Sequence, residues 1–251
     1  MTENISLLEK GFAVIELISR SEREIGVTEI SRSLNMAKSG VFRILSTLKA
    51  LDYVYQNPVT KNYGLGIKFF FIGSVVQRSL PLVNLARRYV DPLGGSWGYS
   101  FSLSIPYFKA GSVPDFVVIY ANASGSLPLF VPGDHGPLHA TAAGKCLLAF
   151  MSSSELQTVQ AFPAQRYTRN TLTDWKTLDP VLEKIRSEGI AAAHDEYREG
   201  LTCYAVPVFD SMHSMTGALT VSARGEPIPP AELKKVTAQM KQASARIGAC
   251  L

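Results

Sequence analysis

The amino-acid sequence predicts an α+β protein in three parts: a winged helix-turn-helix over 1–66, a linker helix over 67–91, and a domain with a largely antiparallel sheet over 92–251. Three observations predict this fold class. The first part follows the order helix, helix, tight turn, helix, hairpin. The second is a very apolar stretch. The third alternates strands with helices, and short turns join consecutive strands, as antiparallel neighbours allow.

The helices of the first part are predicted from apolar residues that recur every three or four positions. The first helix covers 6–19, and a short second helix follows with Thr28 as its N-cap. The third begins within NMAKSGVFRILSTL, ends near Leu51, and turns Val41 and Leu45 toward the other two. After it, DYVYQ and YGLG are predicted to form the two strands of a hairpin.

The outer face of the third helix indicates DNA binding. Arg43 can form two hydrogen bonds to a guanine edge and Phe42 can contact a thymine methyl group, while Gly40 lets the backbone approach a phosphate. The hydroxyl of Ser39 and the cations Lys38 and Lys61, the latter in the hairpin turn, suit phosphate contacts. The predicted DNA-binding residues are Lys38, Ser39, Gly40, Phe42, Arg43 and Lys61.

The alternative for this face is the ordinary solvated surface of a three-helix packing domain. Residues 1–74 hold nine Lys or Arg and seven Asp or Glu, so their net charge is only +2. The distribution is more informative than the total, because residues 35–51 hold three cations and no acid. This asymmetry favours DNA binding.

Residues 67–91 are predicted to form a long helix that is interrupted near Pro81 and ended by Pro92. Phenylalanine and aliphatic residues surround too much of its first half for one small domain to cover. A dimer interface is the natural place for such a surface. The alternative is a helix that bridges the two domains within one chain.

The third part contains six predicted strands and four predicted helices. The strands are SFSLSI, FVVIYA, SLPLFV, GIAAAH, TCYAVPVF and MTGALTVSA. One helix is predicted for HATAAGKCLLAF, and a second follows the capping box of Ser152 and Glu155. A third helix ends at Gly189, and a terminal helix begins after Pro229.

Motifs typical of enzymes and metal sites are weak. The AGKCL segment lacks the glycine and the Ser or Thr that a phosphate-binding loop needs around its Gly-Lys pair. His135 and His139 are four residues apart, but a glycine and a proline between them prevent a helical metal-binding pair. We therefore expect no nucleotide site, no metal and no cofactor.

Two further groups could carry chemistry. Asp195, Glu196 and Glu199 could act as acid and base, but they also suit a solvated turn between strands. Cys203 could be a nucleophile only if the fold supplied a base, and nothing near it in the sequence does. A small buried or pocket residue is the favoured interpretation of Cys203.

The composition restricts where the protein works. The net charge of +4 permits an acidic partner such as nucleic acid without requiring one. Three distant cysteines predict neither a disulfide framework nor a metal site. The sequence has no leader pattern and no apolar run of about 18 residues, so we expect a cytoplasmic protein without a membrane anchor.

Several ordered segments together resemble the IclR (isocitrate lyase regulator) family of bacterial transcription factors, over nearly the whole chain. VTEISRSLNMAKSGVFRILSTLKALDYV is similar to the helix-turn-helix and first wing strand of that family, and YGLGIKFFFIG to its second wing strand and linker start. PLHATAAGKCLLAF, YTRNTLTD, EKIRSEGIAAAHDEYREGLTCYAVPV and GALTVSA resemble its effector-binding domain.

The resemblance implies a GAF/profilin-like effector domain in the C-terminal part. It implies a homodimer, which could pair into a dimer of dimers, that binds double-stranded operator DNA and a small-molecule effector, often an organic acid or an aromatic catabolite. It places Leu129 on a strand and Ala142 and Ala143 in the loop after His139. The implied effector-binding residues are Leu129, His139, Ala142, Ala143, Cys203, Thr220 and Ser222.

Two other functions are open at this point. The C-terminal domain could be an enzyme that uses Cys203 or the acidic cluster, with the N-terminal domain as an accessory. Alternatively, the protein could be a regulator that responds to a protein partner rather than to a small molecule.

Overall fold

The computed structural model describes residues 6–109, 111–122 and 129–251. The chain divides into two compact units, the first ending at Ser79 and the second beginning at Leu80. The sequence predicts functional boundaries at residues 66 and 91, between the DNA-binding domain, the linker helix and the effector domain. These boundaries remain predictions.

The first unit has the predicted order of helices and strands. It contains α1 (Leu7–Ser19), α2 (Val27–Ser33), α3 (Lys38–Ala50), β1 (Val54–Gln56), β2 (Tyr63–Leu65) and α4 (Lys68–Ser79). Strands β1 and β2 pair antiparallel. Val14, Ile30, Val41 and Leu45 are completely buried at the centre of this unit, so the helical periodicity identified its core.

The predicted N-cap of α2 is wrong. Gly26, not Thr28, caps this helix, and the cap makes no side-chain hydrogen bond. Ile25 exchanges both backbone hydrogen bonds with Tyr63 in the hairpin, which keeps the chain extended up to Gly26. A Cβ on Gly26 would lie 2.9 Å from Oδ1 of Asn62, a contact that a small shift of that side chain would relieve. The long-range contact, rather than the local cap signal, decides where α2 begins.

The second unit is a six-stranded antiparallel sheet with helices on both faces. In chain order it contains α5 (Pro81–Trp97), β3 (Ser100–Tyr107), β4 (Asp115–Asn122), β5 (His135–Pro137), α6 (Ala142–Phe150), α7 (Ser153–Gln160), α8 (Trp175–Glu188), β6 (Ala191–His194), β7 (Leu201–Phe209), β8 (Met215–Arg224) and α9 (Pro230–Gly248). The strand order is β5-β4-β3-β8-β7-β6. The largely antiparallel sheet of the α+β prediction is confirmed.

Alternate residues of each strand face two separate cores. Phe101 and Leu103 of β3 pack with α5 and α9 on one face. On the other face, Cys203 of β7 and Ala218 of β8 belong to the core that includes Leu147 of α6. Because side chains alternate along a strand, the residues between Phe101 and Ile105 that face α6 are the serines of β3.

The prediction that Pro92 ends its helix is wrong. The break near Pro81 is confirmed, since α4 ends at Ser79 and α5 begins at Pro81, but α5 continues to Trp97. Pro92 is exposed, whereas Val90 and Gly94 on either side of it are buried against the sheet. Packing of those residues outweighs the loss of one backbone hydrogen bond at the proline.

Two placements implied by the resemblance are also wrong. The first residues of SLPLFV, 126–128, lie outside the described residues, and Leu129 lies in a bend rather than on a strand. The edge strand beside β4 is β5, and Gly136 in it leaves room for the Phe116 ring, since a Cβ there would lie 2.3 Å from that ring. Ala142 and Ala143 are the first two residues of α6, not loop residues, because Thr141 caps the helix just before them.

No single helix among the described residues is both long and apolar enough to span a bilayer. Helices α4 and α5 reach that length and composition only when they are taken together as a broken pair. Val83, Ala86 and Val90 of α5 are completely buried in the core of the second unit.

Candidate functional site: a DNA-binding surface and a buried pocket

The first turn of α3 leaves its polar groups available on the surface. Lys38, Ser39, Phe42 and Arg43 are exposed, while Val41 points into the core. No side chain caps the start of the helix. The N–H groups of this turn can therefore bind an anion such as a phosphate.

Gly40 occupies the third position of α3. A Cβ added there would have no atom within 4 Å, so neither packing nor backbone strain in the first unit explains the glycine. The open space at Gly40 is consistent with the hypothesis that a DNA phosphate approaches the backbone of this turn, where a side chain would be in the way.

The hairpin turn approaches the same surface. Phe42 and Lys61 line one groove of about 760 Å³, together with Arg32 of α2. Of the six predicted DNA-binding residues, only Phe42 and Lys61 line this groove, and Arg43 lines a separate apolar groove beside α1. Lys61 is exposed at the hairpin turn with a φ of 61°.

Glu24 holds the hairpin of β1 and β2, the wing, in place, and sequence reasoning missed this residue. The hydroxyl of Tyr55, the amide of Asn57 and the hydroxyl of Thr60 all donate hydrogen bonds to its carboxylate, at 3.0, 3.1 and 3.2 Å. These donors are 31 to 36 residues away from Glu24 in the chain. No local pattern could have revealed this contact.

A buried pocket lies between the α6 face of the sheet and the start of α6, and we call it the sheet pocket. Its enclosed space is about 20 Å³, which is room for about one water molecule. Its wall consists of Ser102, Ser104, Phe116, Val118, Phe130, Ala140, Thr141, Ala142, Ala143, Ala193, Glu196, Tyr197, Leu201, Cys203 and Thr220.

Four of the seven predicted effector-binding residues line the sheet pocket: Ala142, Ala143, Cys203 and Thr220. Leu129, His139 and Ser222 do not line it. Ser222 lies directly behind Cys203, with its Oγ 3.2 Å from the Cys203 Sγ.

Three polar oxygens of the pocket wall have no hydrogen-bond partner among the described residues. They are Oγ of Ser104, Oγ1 of Thr220 and Oε2 of Glu196. Ser104 and Thr220 are 1% and 3% exposed. Leaving such an atom unpaired in the interior costs about 1 to 3 kcal/mol, so each is a position where a ligand atom could form a hydrogen bond.

Glu196 forms a buried ion pair with Lys145 of α6. The Nζ of Lys145 donates to Oε1 of Glu196 at 2.5 Å, and the two side chains are only 2% and 11% exposed. Burial lowers the pKa of Lys145, although the Glu196 carboxylate opposes that shift. The expectation that Glu196 belongs to a solvated turn is wrong, because the fold buries it against a cation 51 residues away.

The same region explains why AGKCL resembles a phosphate loop without having its spacing. A Cβ on Gly144 would lie 2.3 Å from the carbonyl oxygen of Leu138, so the glycine serves close packing. The lysine that follows it points into the ion pair described above.

The YTRNTLTD segment anchors the backbone beside Glu196. The hydroxyl of Thr171 donates to the carbonyl of Glu196 at 2.6 Å, and that of Thr168 donates to the carbonyl of Asp195 at 2.5 Å. The ring of Tyr167 contacts the ring of Tyr197, which lines the pocket. These contacts fix both the backbone and one side chain of the pocket wall.

His139 faces a second cavity of about 280 Å³, outside the sheet pocket. Its Nε2 donates to the carbonyl of Gln165 at 2.8 Å, and burial lowers its pKa. His135 also lines this cavity and pairs with Asp115 at 2.9 Å. Among the residues that the structure describes, no three His, Cys, Asp or Glu side chains cluster as a metal site requires.

Cys203 does not have the properties of a nucleophile. It is 6% exposed, and burial raises the pKa of its thiol to about 11. A thiolate is the reactive form, so this environment suppresses reactivity. The geometry fits the interpretation of Cys203 as a small residue of a pocket wall.

Comparison with known proteins identifies the family. The model described as IclR helix-turn-helix domain matches residues 7–58, and the model described as Bacterial transcriptional regulator IclR C-terminal matches residues 130–249. The HTH-type transcriptional regulator KdgR of Escherichia coli K12 is 30% identical over 98% of this chain and 93% of its own length. This chain belongs to the IclR family of bacterial transcriptional regulators.

Solved structures of IclR proteins have the same fold. The IclR transcriptional regulator from Alicyclobacillus acidocaldarius has a TM-score of 0.83 at 23% identity, covering 96% of this chain and 97% of its own. An IclR homologue from Microbacterium hydrocarbonoxydans, crystallised with 4-hydroxybenzoate, has a TM-score of 0.79 at 17% identity, covering 97% and 98%. The resemblance read from the sequence is confirmed, and the protein is a DNA-binding transcriptional regulator of the IclR type.

Proposed function

We propose that this IclR regulator is controlled by a small organic acid or an aromatic catabolite that binds in the sheet pocket. The observation that carries the proposal is the set of three unpartnered, buried oxygens in its wall. A ligand that bonds to them recovers the cost of leaving them unpaired. The 4-hydroxybenzoate bound by the Microbacterium homologue supports this class of ligand.

The DNA-binding residues of this proposal are those selected from the sequence. Arg43 and Phe42 read base edges, and Gly40 and Ser39 meet a phosphate at the start of α3. Lys38 and Lys61 neutralise phosphates from the helix and from the wing.

We further propose that the working form is a cytoplasmic homodimer, which could pair into a dimer of dimers. Helix α4 buries none of its residues, and Phe70, Phe71 and Val75 are 66%, 60% and 59% exposed. Leu8 and Phe12 of α1, in the same unit, are 70% and 57% exposed. A second copy of the chain would remove this apolar surface from water and present two recognition helices to a pseudo-palindromic operator.

Regulation requires that the ligand bind one arrangement of the protein better than another. The sheet pocket is too small for a ten-atom ligand without widening, so such a ligand favours an arrangement in which its walls have moved apart. A coupling of about 1 to 3 kcal/mol would change operator affinity by roughly 5- to 150-fold.

The DNA-binding roles are tested with two variants of the full chain and a duplex taken from the region flanking its own gene. Arg43→Ala should cost about 1 to 3 kcal/mol and relax base preference, since it removes a base contact. Lys61→Ala should weaken binding to all sequences and reduce the salt dependence, since it removes a phosphate contact. If both variants behave identically, the assignment of separate roles is wrong.

The ligand-binding role is tested by fluorescence anisotropy of that duplex with and without candidate organic and aromatic acids. We expect at least one acid to change operator affinity and to raise the melting temperature of the protein. If none stabilises the protein, the alternative of a regulator that responds to a protein partner gains support. If the protein turns over a substrate, and Cys203→Ala abolishes that activity while leaving DNA affinity unchanged, the enzyme alternative gains support.

A further inference from the structure

The sheet pocket contains two kinds of polar group with different hydrogen-bonding capacity. The N–H groups of Ala142 and Ala143, the first two residues of α6, have no partner within the helix and can only donate. They lie at the positive end of the helix dipole, which favours a carboxylate. The Oε2 of Glu196, on the same pocket wall, can only accept when the side chain is ionised.

The carboxylate of Glu196 is held firmly in its orientation. Lys145 occupies Oε1 at 2.5 Å, so the other oxygen, Oε2, is left without a hydrogen-bond partner. The hydroxyls of Thr168 and Thr171 hold the backbone carbonyls of Asp195 and Glu196. An anchored acceptor of this kind cannot turn away from an unsuitable ligand, and it therefore discriminates between ligands.

The other two unpartnered oxygens do not discriminate in this way. Ser104 and Thr220 carry hydroxyls, which can donate or accept by rotating a single bond. They can bond to an oxo group and a hydroxyl group equally well. Glu196 is the one unpartnered acceptor among the described pocket residues that favours a donor.

We propose that Glu196 determines specificity by accepting a hydrogen bond from a hydroxyl group of the effector. The effector would then be a hydroxylated carboxylic acid, whose carboxylate meets the first turn of α6 and whose hydroxyl meets Oε2 of Glu196. An oxo acid of the same size places one acceptor against another and binds less tightly. This inference rests on the proposed function of the sheet pocket as a ligand site.

The first test uses the unaltered full chain and isothermal titration calorimetry. The probes are three pairs that differ only in a hydroxyl or an oxo group: lactate and pyruvate, 3-hydroxybutyrate and acetoacetate, and 4-(hydroxymethyl)benzoate and 4-formylbenzoate. They span three separations between the carboxylate and the second oxygen. Because a hydrogen bond to a charged group is strong, we expect the hydroxy acid of at least one pair to bind about ten-fold more tightly or better.

The second test replaces Glu196 by glutamine. Because the Lys145 ammonium can only donate, the amide oxygen of glutamine pairs with it and the amide N–H₂ group takes the place of Oε2. Glu196→Gln should therefore move the preference of the same pair toward the oxo acid. Glu199→Gln is the matched control, since Glu199 is exposed three residues away, and it should keep the original preference.

A purely structural role for Glu196 predicts a different result, namely a lower melting temperature and equal losses for both members of a pair. That result would overturn the inference. Equal affinity of hydroxy and oxo acids for the unaltered protein would also overturn it, while leaving the sheet pocket as a ligand site. If no acid binds and none changes DNA affinity, the proposed function and this inference fail together. The comparison on the unaltered protein remains decisive even if Glu196→Gln does not fold.

Discussion

Replacing Lys145 by methionine should destabilise the second unit strongly. The substitution keeps an unbranched side chain that is one heavy atom shorter, and it leaves the Glu196 carboxylate without its cation in a site where it is 11% exposed. Removing one partner of a buried ion pair typically costs about 3 to 5 kcal/mol. For a unit of this size, each kcal/mol lowers the melting temperature by about 2 to 4 °C, so we expect a fall of roughly 6 to 20 °C.

The assay is thermal unfolding of the full chain followed by circular dichroism, with urea unfolding as a check on the free energy. Lys184→Met is the matched control. Lys184 pairs with Glu188 at 3.8 Å, but the side chains are 70% and 50% exposed, so its loss should cost less than about 0.5 kcal/mol.

The double variant Lys145→Met/Glu196→Leu separates the loss of the pair from the penalty of a lone buried charge. Because well-packed apolar residues often replace a buried pair without loss, the double variant should recover most of the stability. The reasoning is refuted if Lys145→Met is no more destabilising than Lys184→Met. It is also refuted if the double variant is as unstable as Lys145→Met alone.

Three further predictions follow from the geometry. Gly40→Ala should fold with unchanged or slightly higher stability, because its Cβ meets no atom within 4 Å, yet bind DNA several-fold more weakly; unchanged affinity in a gel shift would contradict the phosphate role. Glu24→Ala should release the wing and lower DNA affinity without altering ligand titrations, since three hydrogen bonds to the wing are lost. Burial holds the pKa of His139 below its ordinary value, so the unfolded state binds the proton more readily and stability falls as pH drops through about 6.5. His139→Gln should reduce the loss of melting temperature between about pH 7.5 and 5.5.

The sequence by itself determined the features that depend on neighbouring residues. Apolar spacing identified α1 and α3, and the capping box of Ser152 and Glu155 opens α7 as predicted. Gly189 ends α8 in the left-handed conformation, with a φ of 62°. These signals are reliable because the atoms involved lie within one helical turn of each other.

Local signals were misleading wherever a distant contact opposed them. Thr28 resembles an N-cap, but the bridge between Ile25 and Tyr63 moves the start of the helix to follow Gly26. Pro92 resembles a helix stop, but the buried neighbours of that proline carry the helix onward. In each case a contact with a distant part of the chain outweighs one local preference.

Only the tertiary structure decided the chemistry of the pocket. Ser102 lies opposite Thr220 across β3 and β8, although more than a hundred residues separate them in the chain. Lys145 and Glu196 likewise come from different elements. In the sequence, Lys145 lies in a segment that resembles an incomplete phosphate-binding loop, and Glu196 resembles part of a surface turn. Antiparallel pairing and the burial of two sheet faces bring these groups together. Neither effect leaves a local trace, because each depends on which distant segments share a core.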